Sequence, residues 1–185
     1  HVWLSEIMLQ QTRVEAVRTY YLRFLEQLPD IHALAEAPES RLFKLWEGLG
    51  YYNRARNLQK AAQLLETQYN GIFPNQYTDI LTLPGIGPYT AGAIASICFN
   101  RPCAAVDGNV LRIITRMTEN DAPIDLMQTK AEIAEQLEKI YPKNSCGQFT
   151  QALMELGATI CTPKSPKCTQ CPANGFCRAY ADGTV

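Results

Sequence analysis

Chemistry in this chain must come mostly from carboxylates. There are only two histidines, His1 and His32, neither beside an obvious partner, which argues against a Ser-His-Asp or Cys-His site. No G-x-x-x-x-G-K-[ST] phosphate loop occurs. Two carboxylates stand out by their surroundings. Glu6 lies within the apolar run Val2-Trp3-Leu4-Ser5-Glu6-Ile7-Met8-Leu9, where a desolvated carboxyl favours its protonated form, although a glutamate of an amphipathic helix can equally point outward. Asp107 ends the apolar approach Pro102-Cys103-Ala104-Ala105-Val106 and opens Asp107-Gly108-Asn109-Val110, where it is also a natural helix cap. Together they suit cleavage of a glycosidic bond, one carboxylic acid protonating the leaving group and the other carboxylate facing the positive sugar carbon.

The thiols are concentrated. Of seven cysteines, Cys161, Cys168, Cys171 and Cys177 fall in CTPKSPKCTQCPANGFC with spacing C-x6-C-x2-C-x5-C. In a reducing compartment such a group binds metal more readily than it forms disulfides. Zinc sites with four cysteines commonly use two C-x2-C pairs; only one is present here, and the spacing also departs from the bacterial ferredoxin run. Spacing alone leaves zinc and an iron-sulfur cluster both open. Cys98, Cys103 and Cys146 lie outside the motif and read as buried free thiols.

The elements that must position these groups are helices. Val2 to Gln11 reads as a buried helix. Thr12-Arg13-Val14-Glu15 has the pattern of a capping box opening a helix to about Gln27. Pro38 precedes a helix to Glu47, Gly48-Leu49-Gly50 interrupts, and Tyr51 to Gln68 resumes until Asn70-Gly71. Tyr77 to Leu83 and Pro88 to Phe99 flank a tight turn, and Asn100-Arg101-Pro102 reads as a linker. Val110 to Met117, a helix capped at Asp125 and ending at Ile140, and Gly147 to Thr159 lead into the cysteine segment. No strand or hairpin signal appears, so the fold class is all-α, with many short helices.

The turn Leu83-Pro84-Gly85-Ile86-Gly87-Pro88 has its own chemistry. Gly85 and Gly87 can take positive φ and lack Cβ, so a phosphate can approach the backbone. The N-terminus of the helix that follows favours an anion. A Gly-x-Gly alone is more often a plain turn; the flanking helices and Pro88 favour a backbone grip on DNA, in which phosphate contacts position without reading sequence.

The chain has 185 residues and a net charge of −1, so it is not a basic nucleic-acid binder overall. Acidic residues are absent from Leu156 to Ala181, where Lys164, Lys167 and Arg178 lie; Arg54, Arg56 and Lys60 form a second basic group, Arg112 and Arg116 a third. Such patches bind phosphate or are simply solvated. No apolar run is long enough for a membrane span, and an intracellular compartment is expected.

Taken together, Leu83-Pro84-Gly85-Ile86-Gly87, Val106-Asp107 and the four cysteines resemble the endonuclease III superfamily of base-excision DNA glycosylases. Val2-Trp3-Leu4-Ser5-Glu6 through Gln10-Gln11-Thr12, with Gly48-Leu49-Gly50-Tyr51-Tyr52, resemble its MutY-type adenine glycosylases. The resemblance covers essentially the whole chain. It implies a helix-hairpin-helix glycosylase fold: a six-helix barrel module over 1–101, with the hairpin near 83–94, and a helical module over 102–185 with the cysteine loop. It implies removal of adenine mispaired with 8-oxoguanine or guanine after base flipping, by a monomer acting on duplex DNA. Cys161, Cys168, Cys171 and Cys177 would then hold a structural [4Fe-4S] cluster, with a monovalent cation on the hairpin carbonyls. Glu6 would protonate adenine and assist the water step; Asp107 would stabilise the oxocarbenium ion, with Asn109 supporting it. Gln11 and Tyr51 would enter the DNA stack, Gln151 would touch the flipped adenine, and Gly85 and Gly87 would sit on phosphate. Tyr89 stands where bifunctional relatives carry a Schiff-base lysine, so a monofunctional enzyme is implied. The rival readings are a pyrimidine-lesion glycosylase/lyase like endonuclease III and a non-catalytic DNA-binding module.

The family's usual N-terminal helix before the Val2-Trp3 motif and its C-terminal domain after the cysteine loop are both expected to be missing from this chain, which marks it as a fragment or a truncated product.

Overall fold

The computed structural model describes all residues from 1 to 185, and every regular element in it is helical. In chain order the α-helices are α1 (Val2–Leu9), α2 (Val14–Gln27), α3 (Ile31–Glu36), α4 (Glu39–Trp46), α5 (Asn53–Tyr69), α6 (Tyr77–Leu81), α7 (Pro88–Phe99), α8 (Gly108–Thr118), α9 (Met127–Glu138), α10 (Cys146–Thr159) and α11 (Arg178–Ala181). Short 3₁₀ turns at Cys168–Gln170 and Asn174–Phe176 shape the cysteine segment. No helix is long and apolar enough to cross a membrane. The chain divides into two compact units, His1–Ile94 and Ala95–Val185, so the division falls inside α7 and not at Asn100-Arg101-Pro102.

In the first unit, α1 buries Trp3, Leu4, Ile7 and Met8, the one-face spacing of a helix. Phe24 of α2 and Trp46 of α4 meet edge-on with ring centres 6.1 Å apart. Helix α5 crosses the unit and buries Leu58, Ala61, Ala62 and Leu65. Its glutamines serve the end of α3: Gln59 donates to the Ala37 carbonyl at 2.6 Å and Gln63 to that of Ala35 at 3.3 Å. Asn70 ends α5 in the left-handed region at φ 52°, as Asn-Gly predicts.

Two expected caps are absent. The Thr12-x-x-Glu15 pattern does not cap α2: the N-cap is Arg13, and the Thr12 hydroxyl donates to the Gln10 carbonyl at 3.3 Å. The chain leaves α1 through Gln11 at φ 56°, and that turn uses the hydroxyl a capping box would need. Asp125 does not cap α9 either, whose N-cap is Leu126 with no side-chain bond. Asp30 does cap α3, accepting from the Ala33 N–H at 2.7 Å.

In the second unit Val110, Ile113, Ile133, Leu137, Tyr141 and Cys146 form the core. Two glycines allow α10 to pack at close range. A Cβ at Gly147 would stand 2.9 Å from the Ile97 Cα, and one at Gly157 would stand 2.6 Å from the Asn109 Cβ. A buried hydroxyl chain accompanies the first contact, from Tyr141 to Thr150 at 2.9 Å and from Thr150 to Ser96 at 2.8 Å.

Candidate functional site

Asp107 is placed by the start of α8. It is the N-cap, with extended backbone, and its Oδ1 accepts from the Val110 N–H at 2.8 Å. Its Oδ2 accepts from Asn109 Nδ2 at 3.0 Å. Capping and availability for chemistry coexist, because the two donors fix the half-buried carboxylate without covering it. Asn109 is held in turn: its Oδ1 accepts from Arg112 at 2.8 Å.

Arg112 continues the line into the cysteine segment. It donates to the Gly157 carbonyl and to the Cys161 carbonyl, both at 2.8 Å. Arg116, one turn further along α8, donates to the Thr162 carbonyl at 2.8 Å, the Pro163 carbonyl at 3.3 Å and the Cys161 Sγ at 3.4 Å. Within one unit, then, the orientation of Asp107 and the path of the cysteine loop share a single chain of hydrogen bonds. Both arginines are half-buried and donate to backbone carbonyls of this loop.

The four cysteines come together. All of them, with Arg116, Met117, Leu156 and Ile160, line one recess. Burial pushes the Cys168 thiol up, and the neighbouring Cys161, Cys177 and Cys171 push it further in the same direction. No three or more His, Cys, Asp or Glu side chains are set closely enough to form a metal-holding group. A lone zinc would need all four sulfurs about 2.3 Å from one point, whereas a polynuclear cluster wants four thiolates around a wider space. The donor set, all sulfur and set around a mostly apolar recess, suits thiolate-bound iron or zinc by its chemistry. Cys98, Cys103 and Cys146 lie outside it; Cys146 is buried, Cys98 is exposed, and burial pushes the Cys103 thiol up to about 11, with Glu138 adding to the rise. The expectation of buried free thiols therefore fails for Cys98.

In the first unit Glu6 is half-buried on the flank of α1, beside its core-facing residues. Tyr89 is half-buried in the first turn of α7. The hairpin is tight: the Ile86 N–H donates to the Leu83 carbonyl at 3.1 Å and the Ala91 N–H to that of Gly87 at 2.9 Å. Gly85 takes φ 81°, and a Cβ there would stand 2.8 Å from the Asn57 Cβ. Gly87 does not use positive φ; the space around its missing Cβ is open, so its value is access and not conformation. Gln11 and Tyr51 are both exposed, at φ 56° and 47°, and both line a surface concavity of about 340 Å³. Gln151 is exposed on α10.

The basic residues Arg54, Arg112 and Arg116, expected in phosphate-binding or solvated patches, turn inward to carbonyls. Arg54, taken with Arg56 and Lys60 as a basic group, is 8% exposed and points inward to carbonyls. Of that trio, Arg56 and Lys60 are exposed, and Arg56 pairs with Glu39 at 3.1 Å. The clue available was spacing: Arg112 and Arg116 share one face of α8, the face that ends at the cysteine loop.

The family model for the HhH-GPD superfamily base excision DNA repair proteins matches residues 4–143. The chain is similar to a curated adenine DNA glycosylase of Buchnera aphidicola subsp. Baizongia pistaciae, 44% identical over 99% of this chain and 52% of the relative, so it spans about half the length of that relative. Among solved structures it resembles a thermostable thymine-DNA glycosylase, with a TM-score of 0.88 and 30% identity over 98% of this chain and 83% of the other. It also resembles endonuclease III in a non-covalent DNA complex, with a TM-score of 0.81 and 28% identity over 98% and 84%. With a carboxylate set at a helix start, a glycine hairpin and that match over most of its length, the chain belongs to the HhH-GPD superfamily of base excision DNA repair proteins.

Proposed function

We propose that the chain excises adenine from duplex DNA in which adenine stands opposite 8-oxoguanine or guanine, by hydrolysis of the N-glycosidic bond. The observation that carries this reading is the Asp107 carboxylate, held by the Val110 N–H and Asn109 with Arg112 behind them. A carboxylate fixed in advance stabilises a developing positive charge without reorganising at the moment of reaction. The likeness to a curated adenine DNA glycosylase supplies the base.

In this mechanism the adenine is flipped from the stack, since its glycosidic bond is out of reach in a duplex. The Glu6 carboxyl donates a proton to the adenine ring, and the C1′–N9 bond breaks with its electron pair leaving on the base. The sugar becomes an oxocarbenium ion facing the Asp107 carboxylate. Water adds at C1′ and gives up a proton to the Glu6 carboxylate, which restores both groups. Tyr89 has a phenol where an amine nucleophile would be needed, so no Schiff base forms and the strand is left intact at the abasic site. Gln11 and Tyr51 enter the stack beside the flipped nucleotide, Gln151 contacts the adenine, and Gly85 and Gly87 meet a phosphate at the start of α7.

Cys161, Cys168, Cys171 and Cys177 would hold a [4Fe-4S] cluster, whose contribution is structural: it fixes the loop that carries Lys164 and Lys167. Leu83 and Gly87 carbonyls each accept one N–H and retain a second lone pair, a donor set that suits a monovalent cation. The experiment is excision from defined duplexes under single turnover. Free adenine with breaks appearing only after alkali supports the reading; breaks without alkali would indicate a lyase, and DNA binding without release would indicate a binding module.

A further inference from the structure

Arg54 is the most heavily used side chain of the first unit. From α5 its Nη1 donates to the carbonyls of Ile7 at 3.2 Å, Met8 at 2.8 Å and Gln10 at 2.6 Å. Its Nη2 donates to those of Leu49 at 3.0 Å and Gly50 at 3.3 Å. The guanidinium also lies 5.5 Å from the Trp46 ring centre and 5.6 Å from that of Tyr51. Every acceptor is a backbone carbonyl, and none is a carboxylate. Helix α1 has no basic residue in its own last turn, so Arg54 satisfies its terminal carbonyls from another helix.

What the fork joins is specific. One side ends on Gln10, the residue before Gln11; the other ends on Gly50, the residue before Tyr51. Both following residues sit in the left-handed region, which a bulky side chain enters only when its surroundings impose it. Both present exposed side chains, Tyr51 being 65% exposed, around the same concavity. Nothing in folding a core requires two adjoining loops to hold exposed side chains at strained backbone positions.

We propose that Arg54 is a positioning residue for DNA recognition, locking the Gln11 and Tyr51 loops into one preformed wedge before duplex is met. This rests on the reading that Gln11 and Tyr51 enter the stack. Without the fork, each loop has to be ordered during binding, and two side chains with their backbones are then fixed at the expense of affinity. Lysine at this position keeps the charge but not the planar fork, so it cannot hold both loops.

The test uses the full chain and duplexes with adenine opposite guanine, carrying 2-aminopurine as the base beside that guanine, whose fluorescence rises when its stack is opened. Wild type is expected to raise the fluorescence on the mispaired duplex and not on a fully paired one. Arg54→Lys is expected to lose most of that rise and to bind the mispaired duplex on the order of 10- to 100-fold more weakly, while fully paired duplex binding stays within a few-fold. In a Gln11→Ala, Tyr51→Ala background Arg54→Lys is expected to change mispair binding no further. A wild-type rise retained in Arg54→Lys overturns the proposal and leaves the reading of Gln11 and Tyr51 standing. An equal loss in the wedge-less background, or a variant already melted at the assay temperature, assigns Arg54 to folding alone and overturns it too. No rise with wild type removes the reading of Gln11 and Tyr51 and the proposal together.

Discussion

Gly157 is a single hydrogen atom away from disturbing the candidate site, and Gly157→Ala puts a number on that. The added Cβ would stand 2.6 Å from the Asn109 Cβ, 3.2 Å from Ile113 Cδ1 and 3.3 Å from the Asn109 Cα. Ordinary carbon contacts need about 3.5–4.0 Å, so α10 and α8 must part by roughly 1 Å. Overpacking of this size costs about 1–3 kcal/mol, which for a chain of this length lowers Tm by roughly 2–12 °C. The displaced atoms include the Gly157 carbonyl and Asn109, both partners of Arg112. A shift of about 1 Å beside a reacting carboxylate can cost on the order of 100-fold in rate. Single-turnover excision and a thermal melt of Gly157→Ala would be compared with Gly175→Ala, where a Cβ meets nothing within 4 Å. A Gly157→Ala protein with both wild-type Tm and wild-type rate would refute the argument that this crossing sets the position of Asp107.

Other outcomes follow from single contacts. Asp107→Asn should abolish adenine release while leaving Tm within a few degrees, because asparagine caps about as well as aspartate; a large fall in Tm on melting would show the cap, not the charge, to be what Asp107 supplies. Arg116→Met strips the Thr162 and Pro163 carbonyls of a charged donor, worth about 1–3 kcal/mol to the loop, so visible absorption of the cluster-loaded protein should bleach faster under chelator than in wild type. With its thiol pushed up to about 11, Cys103 is only about a thousandth thiolate at pH 8, and mass spectrometry after brief iodoacetamide treatment of the folded protein should find it unmodified.

Local grammar was the legible part of the fold. Pro88 opens α7 and Asn70 ends α5, because each acts through its own backbone and needs no distant partner. The placement of Asp107 was legible because its cap and its Asn109 partner lie within three residues. What sequence could not give were roles that exist only after helices cross. Gly157 reads as one more helical glycine until α8 is seen against it. Arg54 and Arg112 read as surface charge because their partners are backbone carbonyls, which carry no mark in the sequence. The Thr12 pattern misled because Gln11 turns left-handed, and that turn belongs to a loop held by Arg54 from the far side of the unit.

Removal of adenine from a mispair by carboxylates of this chain is the proposed activity. Its most direct test is single-turnover assay of the cluster-loaded protein and its Asp107→Asn variant on duplexes with adenine opposite 8-oxoguanine, opposite guanine and opposite thymine, with products read before and after alkali. Free adenine is expected from the first two duplexes with wild type only, and strand breaks only after alkali. Undiminished release by Asp107→Asn, or no release by wild-type protein that still binds the duplex, would contradict it.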